Sequence, residues 1–259
     1  MVEEPRRLGI LVPSADVVVE PDFQRFAPRE LTYYTSRSYQ KGLQTVSDAT
    51  LNQIVDSADE AAASLAHANP ELICFCCTSA SFMRGPGWDQ QLAARLSHAA
   101  GGIPTVTTSS AIIEALQALA ARSVFMLTPY PEVRNQIEIE FFRASGIDVK
   151  SHARFDCRMG WEIPGIPPHK IVELATANRR AMSGLDALFL SCTNLRSMQV
   201  AQQLEAALEI PVVTSNQASL WLCLGRLGID AREISAGHLF RVSYPGPFIR
   251  RVPKALEAE

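Results

Sequence analysis

The sequence predicts an α/β protein of two similar lobes, each built on a parallel sheet, and three observations support this prediction. Short apolar segments with the character of buried strands alternate with amphipathic helical segments along the 259 residues. Such alternation is typical of a parallel sheet covered by helices. The alternation starts again near the middle of the chain. Short motifs also recur in the same order in both halves, which indicates an internal duplication with pseudo-two-fold symmetry.

Four strands and three helices are predicted in the first half of the chain. The strands are apolar or rich in β-forming residues, and the helices repeat apolar residues with a helical period. The predicted strands are residues 7–12, 31–38, 72–75 and 103–107. The predicted helices are residues 17–26, 50–68 and 90–99.

The second half repeats this order. Its predicted strands are residues 122–127, 147–155, 185–190 and 210–214, and its predicted helices are residues 132–144, 168–182 and 200–208. A last helix at 218–227 and the segment 237–247 are expected to pack back on the first half, and 250–259 is expected to be a frayed tail. We therefore assign residues 1–115 and 217–259 to the first lobe and residues 116–216 to the second.

Three pairs of motifs carry the internal repeat. The pairs are Val12-Pro13 with Thr128-Pro129, Cys77-Thr78 with Cys192-Thr193, and residues 103–107 with residues 210–214. Ligands of open parallel sheets bind beyond the carboxyl ends of the strands. Two such edges related by pseudo-symmetry would face each other across a shared cleft, so we expect Cys77 and Cys192 to approach one ligand from opposite sides.

Composition and missing motifs exclude several classes of function. The net charge of −3 is spread without a basic stripe or an acidic tail, so nucleic acid and anionic membranes are not expected as partners. Apolar runs are too short for a membrane span or a signal peptide, which favours a cytoplasmic protein whose six cysteines are thiols. The cysteine and histidine spacing does not suit a metal site, and the glycine-rich phosphate motifs of nucleotide cofactors are missing.

The two strand-end cysteines are the candidate reactive groups. A hydroxyl residue follows each of them where a helix is expected to begin. A helix N-terminus lowers the pKa of a thiol and also holds carboxylates or enolates. The alternative is that cysteine fills the core, and this is the interpretation for Cys74, Cys76, Cys157 and Cys223.

Other polar residues near the strand ends have two interpretations each. Tyr130 is either a donor in the cleft or a tyrosine on its rim. Ser14 and Asp16 occupy the matching loop of the first half, where Asp16 is either a helix N-cap or a cleft residue. Arg84 and Arg196 are either partners of a substrate carboxylate or solvated surface charges.

These motifs resemble the Asp/Glu racemase superfamily, and within it the maleate isomerase and arylmalonate decarboxylase branch. The resemblance covers nearly the whole chain and rests on Gly9-Ile10-Leu11-Val12-Pro13-Ser14, Cys77-Thr78-Ser79-Ala80-Ser81-Phe82, Thr128-Pro129-Tyr130 and Ser191-Cys192-Thr193-Asn194-Leu195-Arg196. It implies two flavodoxin-like lobes and activity on a small carboxylate through an enediolate-like state, with no cofactor. A homo-oligomer is also expected.

The resemblance also implies roles for individual residues. Cys77 and Cys192 would be the catalytic thiols, and the substrate-binding residues would be Ser14, Asp16, Thr78, Ser79, Tyr130, Thr193 and Asn194. The decarboxylases of this branch keep the second cysteine and have glycine at the position of Cys77. Two cysteines therefore favour an isomerase like maleate cis-trans isomerase.

Three alternatives to the isomerase remain at this point. They are a two-cysteine racemase, an arylmalonate-type decarboxylase and a non-catalytic binder of small acids. Asp16 also departs from the maleate isomerases, which usually carry asparagine there. A carboxylate in the cleft would favour a substrate with a hydrogen-bond donor in place of one carboxylate.

Overall fold

Each half of the chain contributes one four-stranded parallel sheet. The structure is a computed structural model, and it describes residues 4–42 and 44–249. The first sheet contains β1 (Arg6–Pro13), β2 (Leu31–Ser38), β3 (Leu72–Phe75) and β4 (Thr105–Thr107). The second contains β5 (Ser123–Thr128), β6 (Asp148–Arg154), β7 (Ala187–Leu190) and β8 (Val212–Thr214).

The two sheets have the same strand order. The first is ordered β2-β1-β3-β4 and the second β6-β5-β7-β8. In both sheets the second strand in sequence lies on one side of the first strand, and the third and fourth strands lie on its other side. This equivalence confirms the predicted α/β class with two pseudo-symmetric parallel sheets. The boundaries assigned to the two lobes stay a prediction.

Helices connect the strands. They are α1 (Val19–Phe26), α2 (Asp48–Ala66), α3 (Thr78–Phe82), α4 (Trp88–Ala99), α5 (Thr108–Ala118), α6 (Glu132–Ala144), α7 (Pro168–Ala177), α8 (Ala201–Leu208) and α9 (Ser215–Arg226). Short 3₁₀ turns lie at Gly160–Glu162, Arg179–Met182, Met198–Val200 and His238–Arg241. None of the helices within 4–42 and 44–249 has the length and apolar character that a membrane span needs.

The central strands are buried on both faces, which explains their continuous apolar sequence. Leu8, Ile10 and Val12 of β1 are fully buried. Gly9 allows α2 to approach this strand closely, because a Cβ atom at that position would lie 2.7 Å from Leu65 Cδ2. The glycine is thus a packing requirement of the first lobe.

Helices α5 and α9 pack against each other and join the halves of the chain. Each follows the last strand of its sheet directly. The threonine that ends the strand also caps the helix: Thr107 Oγ1 accepts from the Ser110 N–H at 3.2 Å, and Thr214 Oγ1 accepts from the Gln217 N–H at 3.1 Å. The repeated strands at 103–107 and 210–214 therefore position the two helices that form this contact.

The structure differs from the predicted elements in a few places. Helix α5 was not predicted, whereas the helix expected to begin after Cys77 is the short α3. The helix predicted at 168–182 ends at Ala177 and continues as a 3₁₀ turn. The segment 237–247 packs on α9, where Tyr244 stacks edge-on against Trp221 at 5.5 Å between ring centroids. The tail predicted at 250–259 lies outside the described residues.

Candidate active site

A cleft of about 550 Å³ lies at the carboxyl ends of the central strands of both sheets. Four of its lining residues follow four different central strands: Asp16 follows β1, Cys77 follows β3, Tyr130 follows β5 and Cys192 follows β7. Strands β1 and β3 flank the point where the strand order of the first sheet reverses, and β5 and β7 do so in the second. Such switch points are where open α/β sheets bind their ligands.

The Cys77 thiol is held between the end of β3 and the start of α3. Its backbone is extended, with φ −148° and ψ 102°, and the side chain is buried. Burial raises the pKa of Cys77 to about 12, against the opposing effects of the Ala80 backbone N–H and the Ser79 hydroxyl, which stabilise the thiolate. Asp16 raises this pKa further through its charge. The thiol is therefore neutral at neutral pH.

The Cys192 thiol reaches the same cleft from the other lobe in a different backbone conformation. Its φ is +100°, a region that favours glycine. Its N–H donates to Ser215 Oγ at 3.0 Å, and the same oxygen accepts from Thr78 Oγ1 at 3.0 Å. Residues from both halves of the chain thus hold this strained position.

The prediction that both thiols lie at helix N-termini with lowered pKa values was wrong in two respects. Cys192 does not begin a helix, since the chain continues in turns and α8 starts only at Ala201. Burial also raises the pKa of Cys192, although the Tyr130 hydroxyl and the Asn194 backbone N–H stabilise its thiolate. Desolvation therefore outweighs the local hydrogen bonds at both cysteines, and the predicted lowering of their pKa values is reversed.

Tyr130 is a cleft residue and not a rim residue. It is buried, and its hydroxyl interacts with the Cys192 sulfur as a hydrogen-bond donor. Burial and the nearby Cys192 and Glu138 raise the pKa of Tyr130 well above its ordinary value. The phenol consequently stays protonated and available to donate.

Asp16 is a cleft residue that also accepts hydrogen bonds from the backbone at the start of α1, where the N-cap position itself is Val18. Its Oδ1 accepts from the backbone N–H groups of Val18 and Val19, both at 3.0 Å, and so orders the start of α1. The residue also lines the cleft, where Oδ2 is buried without a hydrogen-bond partner. Burial raises the pKa of Asp16, while the bonds from Val19 and Val18 lower it.

Three predicted substrate-binding side chains make structural hydrogen bonds. The Asn194 side chain joins the lobes: its Oδ1 accepts from the Val17 N–H at 3.0 Å and its Nδ2 donates to the Ala15 carbonyl at 3.3 Å. Thr78 lines the cleft, and its hydroxyl donates to Ser215 Oγ at 3.0 Å. Ser14 does not line the cleft, and its hydroxyl accepts from the Gln40 N–H at 3.3 Å.

Ser79 and Thr193 line the cleft beside the two cysteines. Ser79 interacts with Cys77 as described above. The Thr193 carbonyl accepts from Asn216 Nδ2 at 2.9 Å, and the same amide donates to Asp22 Oδ2 at 2.8 Å. The loop after Cys192 is therefore fixed from α9 and α1.

Much of the cleft wall was not predicted. The unpredicted lining residues lie between β2 and the middle of α2, and in the turn after β6: Gln40, Gln44, Thr45, Val46, Thr50, Leu51, Ile54, Gly160 and Ile163. The two segments meet, because the Val46 N–H donates to the Arg158 carbonyl at 2.8 Å and the Gly160 N–H donates to the Gln44 carbonyl at 2.5 Å. The available signal was the connection between β2 and α2, which exceeds the roughly two to six residues usual in α/β units.

A buried carboxyl behind Cys192 was also missed. Glu138 of α6 is fully buried, and its Oε1 accepts from the Ser191 hydroxyl at 2.6 Å while Oε2 has no hydrogen-bond partner. Burial raises the pKa of Glu138 to about 8, although the Ser191 hydrogen bond and the charge of Arg134 lower it. A neutral carboxylic acid therefore supports the Cys192 loop at neutral pH.

Within residues 4–42 and 44–249, no basic residue lines this cleft. Arg196 is exposed outside it, and Arg84 lies over the ring of Trp88, 4.3 Å from its centroid. Neither arginine is placed to bind a carboxylate there. Within the described part of the chain, no group of three or more His, Cys, Asp or Glu side chains is arranged to hold a metal ion.

Comparisons with known proteins agree with this architecture. The sequence model of the arylmalonate decarboxylase family matches residues 8–240. A maleate isomerase of Geobacillus stearothermophilus is 24% identical over 251 residues, covering 92% of this chain and 98% of that protein. A maleate isomerase of Nocardia farcinica is 27% identical over 245 residues, covering 91% and 96%. The structure of a Nocardia farcinica maleate cis-trans isomerase mutant with a covalently bound succinylcysteine intermediate matches with a TM-score of 0.83 at 24% identity, covering 91% and 98%.

Proposed function

The chain belongs to the arylmalonate decarboxylase family, and from this premise we propose that it is a cofactor-independent cis–trans isomerase of a small unsaturated carboxylic acid, similar to the maleate isomerases. The observation that carries the proposal is the cleft lined by two thiols, Cys77 and Cys192, at the switch points of two pseudo-symmetric sheets. The curated relatives named maleate isomerase span nearly the whole chain, and a structural neighbour holds a succinylcysteine intermediate.

The reaction needs one covalent cycle. The Cys77 sulfur forms a bond to one alkene carbon while the π electrons move into the substrate carboxylate as an enediolate. The former double bond is now single and rotates. When the enediolate collapses, the C=C bond re-forms, the C–S bond breaks and the trans acid leaves. No oxidant, reductant or cofactor enters this balance.

Proton transfer accompanies the bond changes. Because the pKa of Cys77 is raised to about 12, its proton must leave as the sulfur attacks. Cys192 takes up that proton while giving its own to the developing enediolate, and the sequence reverses when the thiolate is expelled. Cys192 therefore ends this exchange as a neutral thiol, and the Tyr130 hydroxyl and the Asn194 backbone N–H stabilise the negative charge that develops on its sulfur while the two protons move. Ser79 and the Ala80 N–H do the same for Cys77.

A two-base racemase is the second candidate, because the same two thiols come from opposite lobes. In that reaction one thiolate removes an α-proton and the opposite thiol returns one to the other face. The two functions differ in the bond that changes. An isomerase converts a cis alkene to a trans alkene, whereas a racemase exchanges the α-proton of a saturated acid with solvent.

One NMR experiment in heavy water separates these functions. The protein is incubated with cis-enoic acids, chiral α-substituted acids and aryl malonates. We expect cis-to-trans conversion of an enoic acid. Deuterium exchange at a chiral carbon would identify a racemase, and loss of carbon dioxide a decarboxylase. A ligand-dependent rise in melting temperature without any conversion would identify a binding protein and overturn the proposal.

Variants test the roles of the two thiols. Cys77→Ala and Cys192→Ala are each expected to lower kcat/KM by at least about 10³-fold, as for loss of a nucleophile or an acid–base group. Cys223→Ala is the matched control, since this thiol is buried in α9 away from the cleft. Mass spectrometry of Cys192→Ala incubated with substrate should place an adduct of one substrate mass on Cys77. An adduct found only on another cysteine would contradict the assignment of the nucleophile.

We also propose a cytoplasmic location for the enzyme. All six cysteines are unpaired thiols in the structure, as expected in a reducing compartment.

A further inference from the structure

Asp16 brings an unsatisfied hydrogen-bond acceptor to the cleft. The residue is only 3% exposed, and its Oδ1 is occupied by the N–H groups of Val18 and Val19. Oδ2 has no hydrogen-bond partner in the protein. The Thr193 hydroxyl lies near the carboxyl without making a hydrogen bond of ordinary geometry to this oxygen. A buried acceptor left unpaired is unfavourable, and a ligand that donates to it relieves that penalty.

Among the residues that the structure describes, Asp16 is also the only acidic or basic residue that lines the cleft. The guanidinium groups whose charges act on Asp16 and Cys77 are those of Arg37 and Arg134, and neither lines the cleft. Arg37 donates to the Asp16 backbone carbonyl and pairs with Glu20, whereas Arg134 pairs with Asp48 through Nη2 and has no hydrogen-bond partner at its buried Nε and Nη1. A second substrate carboxylate beside Asp16 would therefore meet a like charge without a cation in the cleft to offset it.

We infer that the cleft selects a substrate with a carboxylate on one arm and a hydrogen-bond donor for Asp16 Oδ2 on the other, so that a monoamide is preferred over the corresponding dicarboxylate. This inference rests on the proposed function, because it concerns the same cleft. A site built around a buried acceptor rejects an analogue that lacks the donor more strongly than a site that discriminates by size. The amide N–H supplies the donor, and the remaining carboxylate still forms the enediolate.

The chain offers a conservative way to reverse this preference. In Asp16→Asn, the amide oxygen can keep accepting from the backbone of Val18 and Val19, because asparagine caps helices as well as aspartate does. Its Nδ2 then takes the place of Oδ2 and presents a donor to the cleft. Asp16→Ser also keeps a capping oxygen but removes the carboxylate. Glu20→Gln removes one negative charge from the same helix outside the cleft.

The first experiment measures binding alone, so that it does not depend on turnover. Succinamate and succinate are saturated analogues that cannot isomerise, and their affinities are measured by isothermal titration calorimetry. We expect wild-type protein and Glu20→Gln to bind succinamate at least tenfold more tightly than succinate. Asp16→Asn should reduce that ratio at least tenfold, and Asp16→Ser should lower it as well. Equal affinity for both ligands in the wild type, binding of neither, or an unchanged ratio in Asp16→Asn would overturn the inference.

The second experiment measures turnover of maleamate and maleate by the same four proteins. The ratio of kcat/KM for maleamate over maleate should be at least ten in the wild type and fall at least tenfold in Asp16→Asn. If both acids are isomerised with maleate preferred, the inference fails and the proposed isomerase stands. If neither is isomerised but succinamate is preferred in the calorimeter, the isomerase proposal fails and the donor preference stands.

Discussion

The two cysteines have equivalent places in the repeat and opposite backbone requirements. Cys77 has an extended backbone with φ −148°, whereas Cys192 has φ +100°. A non-glycine residue in the latter region stores about 1–3 kcal/mol of strain, and such residues concentrate at functional sites. The Cys192 N–H bond to Ser215 Oγ helps to hold this conformation. The sulfur is thereby fixed toward the cleft without a helix to orient it.

A pair of substitutions at each cysteine measures this strain. Cys192→Gly should be more stable than Cys192→Ala by about 1 kcal/mol, because glycine adopts φ +100° without a steric penalty. At Cys77 the order should reverse by about 0.5–1 kcal/mol, because glycine loses more backbone entropy in an ordinary extended conformation. Urea unfolding of the four variants provides the free energies. The same order at both positions would contradict a strained Cys192.

Sequence patterns located both cysteines but not their ionisation. Position at a strand end follows from apolar periodicity, which is local. The pKa of Cys77 depends instead on how completely the second lobe and residues 39–42 and 44–47 exclude water, and this is a tertiary property. For the same reason the sequence did not decide whether Asp16 is a helix N-cap or a cleft residue. Only the fold shows that one oxygen of this carboxyl accepts from the backbone at the start of α1 while the other is left unpaired at the cleft.

At the scale of elements, α6 is unusual because its buried face carries ionisable residues. Arg134 and Glu138 lie one turn apart on that face, and both are buried. Arg134 pairs with Asp48 at the start of α2, and Glu138 accepts from Ser191 beside Cys192. The helix thus connects the wall of one lobe with the reactive loop of the other. Polar residues in a helical pattern are ordinarily expected on the solvent side, so this face was not predicted.

The titration of Glu138 gives a pH dependence of stability. Its pKa rises from the ordinary 4.5 to about 8 in the folded protein, so between these values the folded state holds a proton that the unfolded state releases. The free energy of unfolding therefore falls as pH rises through this interval, by at most roughly 1.4 kcal/mol per pH unit for this group, and it levels off above the folded pKa.

Glu138→Gln should weaken that dependence, because glutamine cannot ionise and still accepts from Ser191. Urea unfolding at several pH values from 5 to 8 measures the slopes for the wild type and the variant. Asp16 and Asp22 also have raised pKa values, and the difference between the two proteins isolates Glu138. Identical slopes would show that Glu138 is ionised in the folded state throughout.

Most elements were predictable from local pattern, and the exceptions have local causes. Helix α5 begins directly after β4, so Thr107 is both the last strand residue and the helix cap. The polar run that follows has the composition of a loop, which concealed the helix. Helix α3 is only five residues long, too short for its periodicity to define its extent, so only its start after Cys77 was expected. The internal repeat nevertheless predicted that the strands before these two helices end at the edge of the sheet that faces the cleft.

At the scale of the whole molecule, the cleft exists only when the two sheets are docked in one register. Hydrogen bonds between the two halves of the chain surround it: Asn194 bonds to Ala15 and Val17, and Thr78 bonds to Ser215. The sequence repeat predicted that two strand edges would face each other. It contained no signal for the side chains that fix the register, since these bonds join residues far apart in the chain.

The Asn194 side chain clamps the two lobes together through its bonds to Val17 and Ala15. Its substitution tests whether docking of the lobes is needed for catalysis. Asn194→Ala removes both bonds and leaves the Val17 N–H without its acceptor, so we expect a loss of about 1–3 kcal/mol in the free energy of unfolding. Because the same bonds hold the Asp16 loop against the Cys192 loop, kcat/KM should fall at least about tenfold as well, mainly through KM. Asn52→Ala is the control: its amide oxygen makes an exposed bond to Arg84, and surface changes of this kind stay within about 0.5 kcal/mol. An Asn194→Ala protein with wild-type stability and wild-type kcat/KM would mean that the lobes keep their register without this clamp. The contact between α5 and α9 would then be the element that positions the two thiols.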